Sequence, residues 1–172
     1  TVIRAIEDSP PDVIALSNYS WNSKLSERIA VFAKDCNPNA ITAQGGTNFP
    51  HREPQQLEFL LARPSTDVYV ELESELSFSE LISRILSARD GGQGLFEEAI
   101  QGCVYVDPST RWDKRPVLVK GALFPRIRNL DEIPSPYLTG LLDHFFDGRL
   151  TPFIETNRGC PYQCSYCDWG GA

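Results

Sequence analysis

The sequence predicts an open α/β domain, a parallel sheet with helices on both faces in the Rossmann-like, flavodoxin-like manner. Two observations predict it. From Asp12 to about Leu72, short apolar runs alternate with amphipathic stretches of helical period, and successive strand–helix–strand units of that kind build parallel sheets covered by helices. The joints between them are punctuated by Pro, Gly and Asn, the residues that end one element and start the next.

The elements follow in order. "TVIRAIE" resembles the tail of a helix whose preceding strand is absent. "DVIALSNY" (Asp12–Tyr19) is an apolar run after Pro10 and Pro11, the composition of a buried parallel strand. Leu25, Ile29, Phe32, Ala33 and Cys36 then recur at helical spacing, with Ser23 the expected N-cap and "NPN" (Asn37–Asn39) the stop. "AITAQGG" (Ala40–Gly46) is the second strand, "EPQQLEFLLARP" a helix, and "TDVYVEL" (Thr66–Leu72) the third strand. "SFSELISRILSARDGG" opens with a capping box, Ser77 to Glu80, carries Phe78, Leu81, Ile82, Ile85 and Leu86 on one face, and ends at Gly91. Together these make a first domain over residues 1–102.

After Gly102 the texture changes. "CVYVDP" and "PVLVKGAL" read as strands of a small hairpin, and "FPRIRNLDEIPSPYLTGLL", with Pro125, Pro134 and Pro136, as an extended connector. Hairpin and connector fill residues 103–149. "LTPFIETNRG" (Leu150–Gly159) is a further strand, so residues 150–172 read as the start of another domain. The chain has no methionine and places three cysteines beside its last residues, which reads as a piece of something longer.

Charge narrows the partners. The net charge is −7, divided as +1 over residues 111–172 and −8 over the remainder. A nucleic-acid footprint needs clustered positive charge, so none is expected. No apolar run reaches the roughly 18 residues of a membrane span, and no membrane association is expected. Five cysteines, an odd number without the spacing of a disulfide framework, fit reduced thiols in the cytoplasm.

The chemistry sits in "NRGCPYQCSYCDWGGA". Cys160, Cys164 and Cys167 let one loop aim three sulfurs at a single point, which suits a soft metal. Structural zinc wants a fourth Cys or His. His51 and His144 lie in no finger-like spacing, and Cys36 and Cys103 sit remote in apolar segments. An iron–sulfur cluster held by three cysteines would leave one iron open to a ligand. Zinc and cluster both stand at this point. Ligands of open α/β sheets lie beyond the carboxyl ends of the strands. There the sequence offers Ser17 and Asn18 after the first visible strand, and Gly45, Gly46 and Thr47 after the second. Paired glycines let a bulky flat ligand lie against backbone, and the serine hydroxyl can bond one end of it.

Cys-x3-Cys-x-aromatic-Cys, with Tyr166 the aromatic and "PFIETNRGC" leading in, resembles the radical S-adenosylmethionine (SAM) enzymes. "DVIALSNYSWN", "NPNAITAQGGTNFP" and "NLDEIPSPY" resemble the cobalamin-binding domain and connector of the B12-binding members of that family. The resemblance implies that Cys160, Cys164 and Cys167 ligate a [4Fe–4S] cluster whose fourth iron holds SAM. It implies cobalamin against Ser17, Asn18, Gly45, Gly46 and Thr47, with the ring of Trp21 a weaker candidate. It also implies that the chain enters only the first strand of a truncated partial α/β barrel. The whole enzyme would cleave SAM reductively, with electrons from a donor such as a flavodoxin or ferredoxin, and carry out methyl transfer or a radical rearrangement on a metabolite.

Two departures stand out. Where that family often carries Gly-Glu-Gly-Glu after the third strand, this chain has "LESE", Leu72 to Glu75, and the Asp-x-His-x-x-Gly signature that gives cobalt a histidine is not present. Glu71, Glu73 and Glu75 read as a solvated acidic turn, His51 as a solvated loop residue, and Glu155 and Asn157 as strand positions near SAM or at a strand edge. A binding module that kept the fold and lost its ligand, and a zinc-stabilised structural protein, are the rival readings.

Overall fold

The computed structural model describes residues 2–88, 94–152, 154, 162 and 164–166. A short helix α1 (Val2–Asp8) runs into Pro10 and Pro11, and the chain then enters the first of five strands that form one open sheet. β1 (Val13–Ser17), β2 (Ile41–Gly45) and β3 (Val68–Val70) lie side by side in chain order and pair in parallel. α2 (Ser23–Cys36) and α3 (Glu53–Leu61) connect them. The predicted open α/β arrangement is therefore present.

Helices cover both faces of β3. Val68 and Val70 point into a core with Leu81, Cys103 and Tyr105, closed by Phe78 and Ile85 of α4 (Ser74–Ser87). Tyr69 points the other way, against Leu60 and Leu57 of α3 and beside Val104 and Val106. The period-2 alternation of "VYV" decides which ring goes to which side. At the amino ends of the strands, the Asp67 carboxylate accepts from the Thr42 amide (2.8 Å) and pairs with Lys34 Nζ (2.8 Å), tying β2, β3 and α2 together.

The sheet is mixed rather than wholly parallel. β4 (Cys103–Val106) pairs antiparallel with β3, and β5 (Leu118–Lys120) antiparallel with β4. The reason is where the chain re-enters. The Glu71 amide donates to the Gly102 carbonyl (3.0 Å), so the strand after Gly102 starts beside the end of β3 and must run back along it. The hairpin expected after Gly102 exists, and it extends the sheet.

Four local expectations change. The helix expected to start with a capping box at Ser77 begins at Ser74, and no side chain caps it. Ser77 is instead buried, packed so closely on Gly102 that a Cβ there would lie 1.9 Å from the Ser77 hydroxyl. Asn22, not Ser23, stands at the start of α2. The buried face of α2 is Ser26, Ala30 and Ala33, while Leu25 is 63% exposed. Small residues let that helix sit close to β1, where the Ser26 hydroxyl donates to the Ser17 carbonyl (2.7 Å). β1 itself, expected to be buried, leaves Ala15 and Ser17 exposed, because it pairs on one side only among the described residues.

The chain divides into two units, residues 1–126 and 127–172. The described part of the second has two 3-10 turns, Leu130–Glu132 and Asp143–Phe145. Around the second turn, Tyr137, Leu142, Phe145, Phe146 and Leu150 line a shallow apolar groove. Leu150–Pro152 and Ile154 carry no strand pairing, and the rest of the segment read as a strand lies outside the described residues. No described helix is long and apolar enough to cross a membrane.

Candidate functional site

Register brings the first two predicted exits together. Ser17 of β1 pairs with Gly45 of β2, and Gly45 with Val70 of β3. Ala15 and Ala43 are paired two residues earlier, so Ala15, Ser17, Ala43 and Gly45 share one face with only small side chains; Ala43 is buried in the core with Val68 and Leu81, while Ala15 and Ser17 are exposed. Asn22 organises the approach to Ser17. Its amide nitrogen donates to the Ser17 hydroxyl (2.7 Å), and its carbonyl oxygen accepts from the Tyr19 amide (2.7 Å). Ser17 and Thr47 are exposed, and Gly45 and Gly46 half-buried.

Asn18 behaves differently from its neighbours. It is fully buried, with its side-chain amide donating to the Asn48 carbonyl (2.8 Å) and the Tyr69 hydroxyl (3.1 Å), while Asn48 Nδ2 donates back to Asn18 Oδ1 (3.3 Å). Its backbone joins in: the Asn18 amide donates to Gly45 O (2.6 Å) and its carbonyl accepts from the Asn48 amide (3.2 Å). Tyr69 completes the clasp by donating to Gly46 O (2.8 Å). Burial pushes the Tyr69 phenol up to about 12, against a bond from Asn18 that pulls it down, so the hydroxyl remains a donor throughout the neutral range.

Asn18 thus positions the exits from inside. Replacing it with alanine removes the donor to the Asn48 carbonyl and to the Tyr69 hydroxyl, which keeps its own bond to Gly46 O, and a loss of about 1–3 kcal/mol in urea unfolding is expected. Unchanged stability in Asn18→Ala would show that the clasp contributes nothing. Tyr69 and Asn48 were not singled out in the sequence. The signal was there for Tyr69 alone, a polar aromatic set between Val68 and Val70 and hence on the opposite face.

Gly46 has φ +130°, and a Cβ built there would lie 2.6 Å from the Asn18 carbonyl oxygen. Only glycine lets β2 leave the sheet this close to β1. Beside this floor stand exposed apolar groups. Trp21 is 80% exposed and stacks on Tyr19 with ring centroids 4.7 Å apart. Leu25 stands one turn further on, at the start of α2. A solvent-facing tryptophan is no core anchor. Floor, hydroxyl and exposed ring together suit a broad, flat ligand with a polar end.

The remaining candidates separate. Glu71 is not solvated: its Oε1 accepts from Gln56 Nε2 (3.0 Å) and pairs with Lys120 Nζ (3.3 Å), which locks the end of β3 to α3 and β5. His51 is exposed in the loop between β2 and α3. Cys164 is an exposed free thiol and Tyr166 is exposed, while Cys160, Cys167, Glu155 and Asn157 lie outside the described residues.

No protein-family model matches the chain. Individual relatives do, over nearly the whole chain. A cobalamin-dependent radical SAM methyltransferase of Streptomyces tokunonensis, TokK, is 36% identical over 168 residues, 94% of this chain. A 2-(S-pantetheinyl)-carbapenam-3-carboxylate methyltransferase of Streptantibioticus cattleyicolor is also 36% identical, over 169 residues. The chain belongs to the B12-binding-domain radical SAM enzyme family. It spans 22% of the length of each of those two relatives. A more distant relative is the anaerobic magnesium-protoporphyrin IX monomethyl ester cyclase of Rubrivivax gelatinosus, 24% identical over 163 residues. The described residues that fit a corrin are those at the exits of β1 and β2. The Cβ-free floor at Gly45 and Gly46 and the exposed Ser17 hydroxyl are features a wide macrocycle with a polar appendage can use.

Proposed function

We propose that this chain is the cobalamin-holding part of a radical SAM enzyme, joined to the loop that carries its [4Fe–4S] cluster. The observation that carries the reading is the pairing of Ser17 with Gly45 beside Gly46, which sets a hydroxyl and bare backbone on one exposed edge. Ser17 would bond the polar end of the ligand, with Asn22 fixing its hydroxyl. Gly45, Gly46 and Thr47 would floor the corrin, and Trp21 would cover part of it. Asn18, Tyr69 and Asn48 would hold that floor in place without touching the ligand.

Cys160, Cys164 and Cys167 would ligate the cluster, whose chemistry when loaded is one-electron cleavage of SAM, with cobalamin as methyl carrier. In the whole enzyme we favour methyl transfer to an unactivated carbon of a small-molecule metabolite, since both relatives at 36% identity are named methyltransferases. Radical rearrangement is the second reading, supported by the cyclase among the relatives. The electron donor would be a flavodoxin or ferredoxin, and the setting a reducing cytoplasm.

The test uses the chain itself, reconstituted anaerobically with iron and sulfide, mixed with hydroxocobalamin and desalted. Stoichiometric cobalt and a corrin spectrum on the protein are the expected result. Loss of all corrin from a chain that keeps its far-ultraviolet circular dichroism would overturn the reading in favour of a fold without its ligand. Zinc in place of iron would favour the structural-protein reading.

A further inference from the structure

Among the described residues, Leu72 is the one non-glycine with positive φ, at 52°. A leucine in the left-handed region sets its Cβ against its own carbonyl, a conformation that only Gly, Asn and Asp adopt readily. Its surroundings explain why the backbone must turn there. Glu71 is fixed by its amide to Gly102 O (3.0 Å) and by its carboxylate to Gln56 and Lys120, and α4 starts at Ser74. Two residues, Leu72 and Glu73, make the whole connection. They do not explain why the residue is leucine. Its side chain is 61% exposed, so no core is served by it.

Position supplies a reason. Gly45 pairs with Val70, and Leu72 stands two residues past Val70 on the same carboxyl edge as Ser17, Gly46 and Trp21. Trp21 and Leu25, both exposed, stand after β1. Leu72 stands after β3, on the other side of the glycine floor. We propose that Leu72 is an apolar wall of the ligand face, held in a strained backbone so that its side chain closes the β3 side of the site and sets where the corrin ends. Backbone strain of this kind clusters at active sites, ligand clamps and switches, and the exposed side chain adds nothing to the core that would account for a leucine here. The inference rests on the cobalamin reading above.

Two substitutions separate this role from a structural one. Leu72→Gly and Leu72→Asn both suit a left-handed backbone and both remove the apolar side chain. Each is expected to leave the melting temperature unchanged or raise it by a few degrees. Each should weaken hydroxocobalamin binding about five- to tenfold in absorbance titrations, the worth of one partly buried leucine. Binding that is unchanged or tighter in both variants overturns the proposal, and so does a lower melting temperature with unchanged binding. If the unsubstituted chain holds corrin and the variants hold it equally, the Leu72 inference alone falls. If the unsubstituted chain holds none, the cobalamin reading falls and takes this inference with it.

Discussion

Gly46→Ala is expected to lower the stability of residues 1–126 by about 3 kcal/mol or more and to abolish corrin retention with it. The added Cβ would meet three backbone atoms of Asn18: the carbonyl oxygen at 2.6 Å, the carbonyl carbon at 3.1 Å and the nitrogen at 3.2 Å. None can swing aside as a side chain would. The φ of +130° adds a conformation that L-residues rarely adopt. β2 could relieve the clash only by retreating from β1, and that opens the Asn18–Tyr69 clasp. Gly45→Ala is the control. Its Cβ would find Val70 O at 3.4 Å, an ordinary contact, so the domain should fold while the floor of the face is raised by a methyl. Urea unfolding and desalting with hydroxocobalamin measure both effects. A Gly46→Ala chain as stable as the parent would remove the close approach of β1 and β2 from the explanation.

The second large effect is expected at Gly121→Ala, at about 4 kcal/mol or more. A Cβ there would sit 1.8 Å from Ile100 O and 2.5 Å from its carbonyl carbon, inside covalent-scale distances that no rotamer avoids. The local hydrogen bonds leave no slack: Gly121 N donates to Cys103 O (2.9 Å) and Gly102 N to Ala122 O (2.8 Å). The variant asks whether the hairpin after Gly102 is part of the sheet or an appendage. If it is part of the sheet, thermal unfolding should remain one transition and shift as a whole. Two separated transitions, with the parallel strands still melting where the parent does, would make the hairpin an appendage.

How much of this was legible depends on the range of the interaction. The parallel strands are readable because β1, β2 and β3 are each a short stretch between turn residues, apolar in β1 and β3 and led by Ile41 in β2, a local property. The antiparallel return of β4 was not, because it follows from the bond between Glu71 and Gly102, which are distant in sequence. Ser77 and Glu80 matched a capping box, yet tertiary packing against Gly102 took Ser77 into the core and started the helix at Ser74. Ser17 and the glycines are candidates by their place after strands, and the register sets Ser17 beside Gly45. Asn18 was read as a candidate contact. Its burial came from Tyr69, whose hydroxyl reaches across 51 residues of chain, a separation no motif encodes.

That separation also orders events in time. The Asn18–Tyr69 and Asn18–Asn48 bonds join segments of three successive strands, linked by two crossovers. Loops that long close slowly, and the entropy of closing them is lost before the contact forms. The ligand face is therefore finished late, after β1, β2 and β3 have all found their register. A newly made chain would hold no half-built version of it, and the appearance of the clasp reports that the three parallel strands are in register.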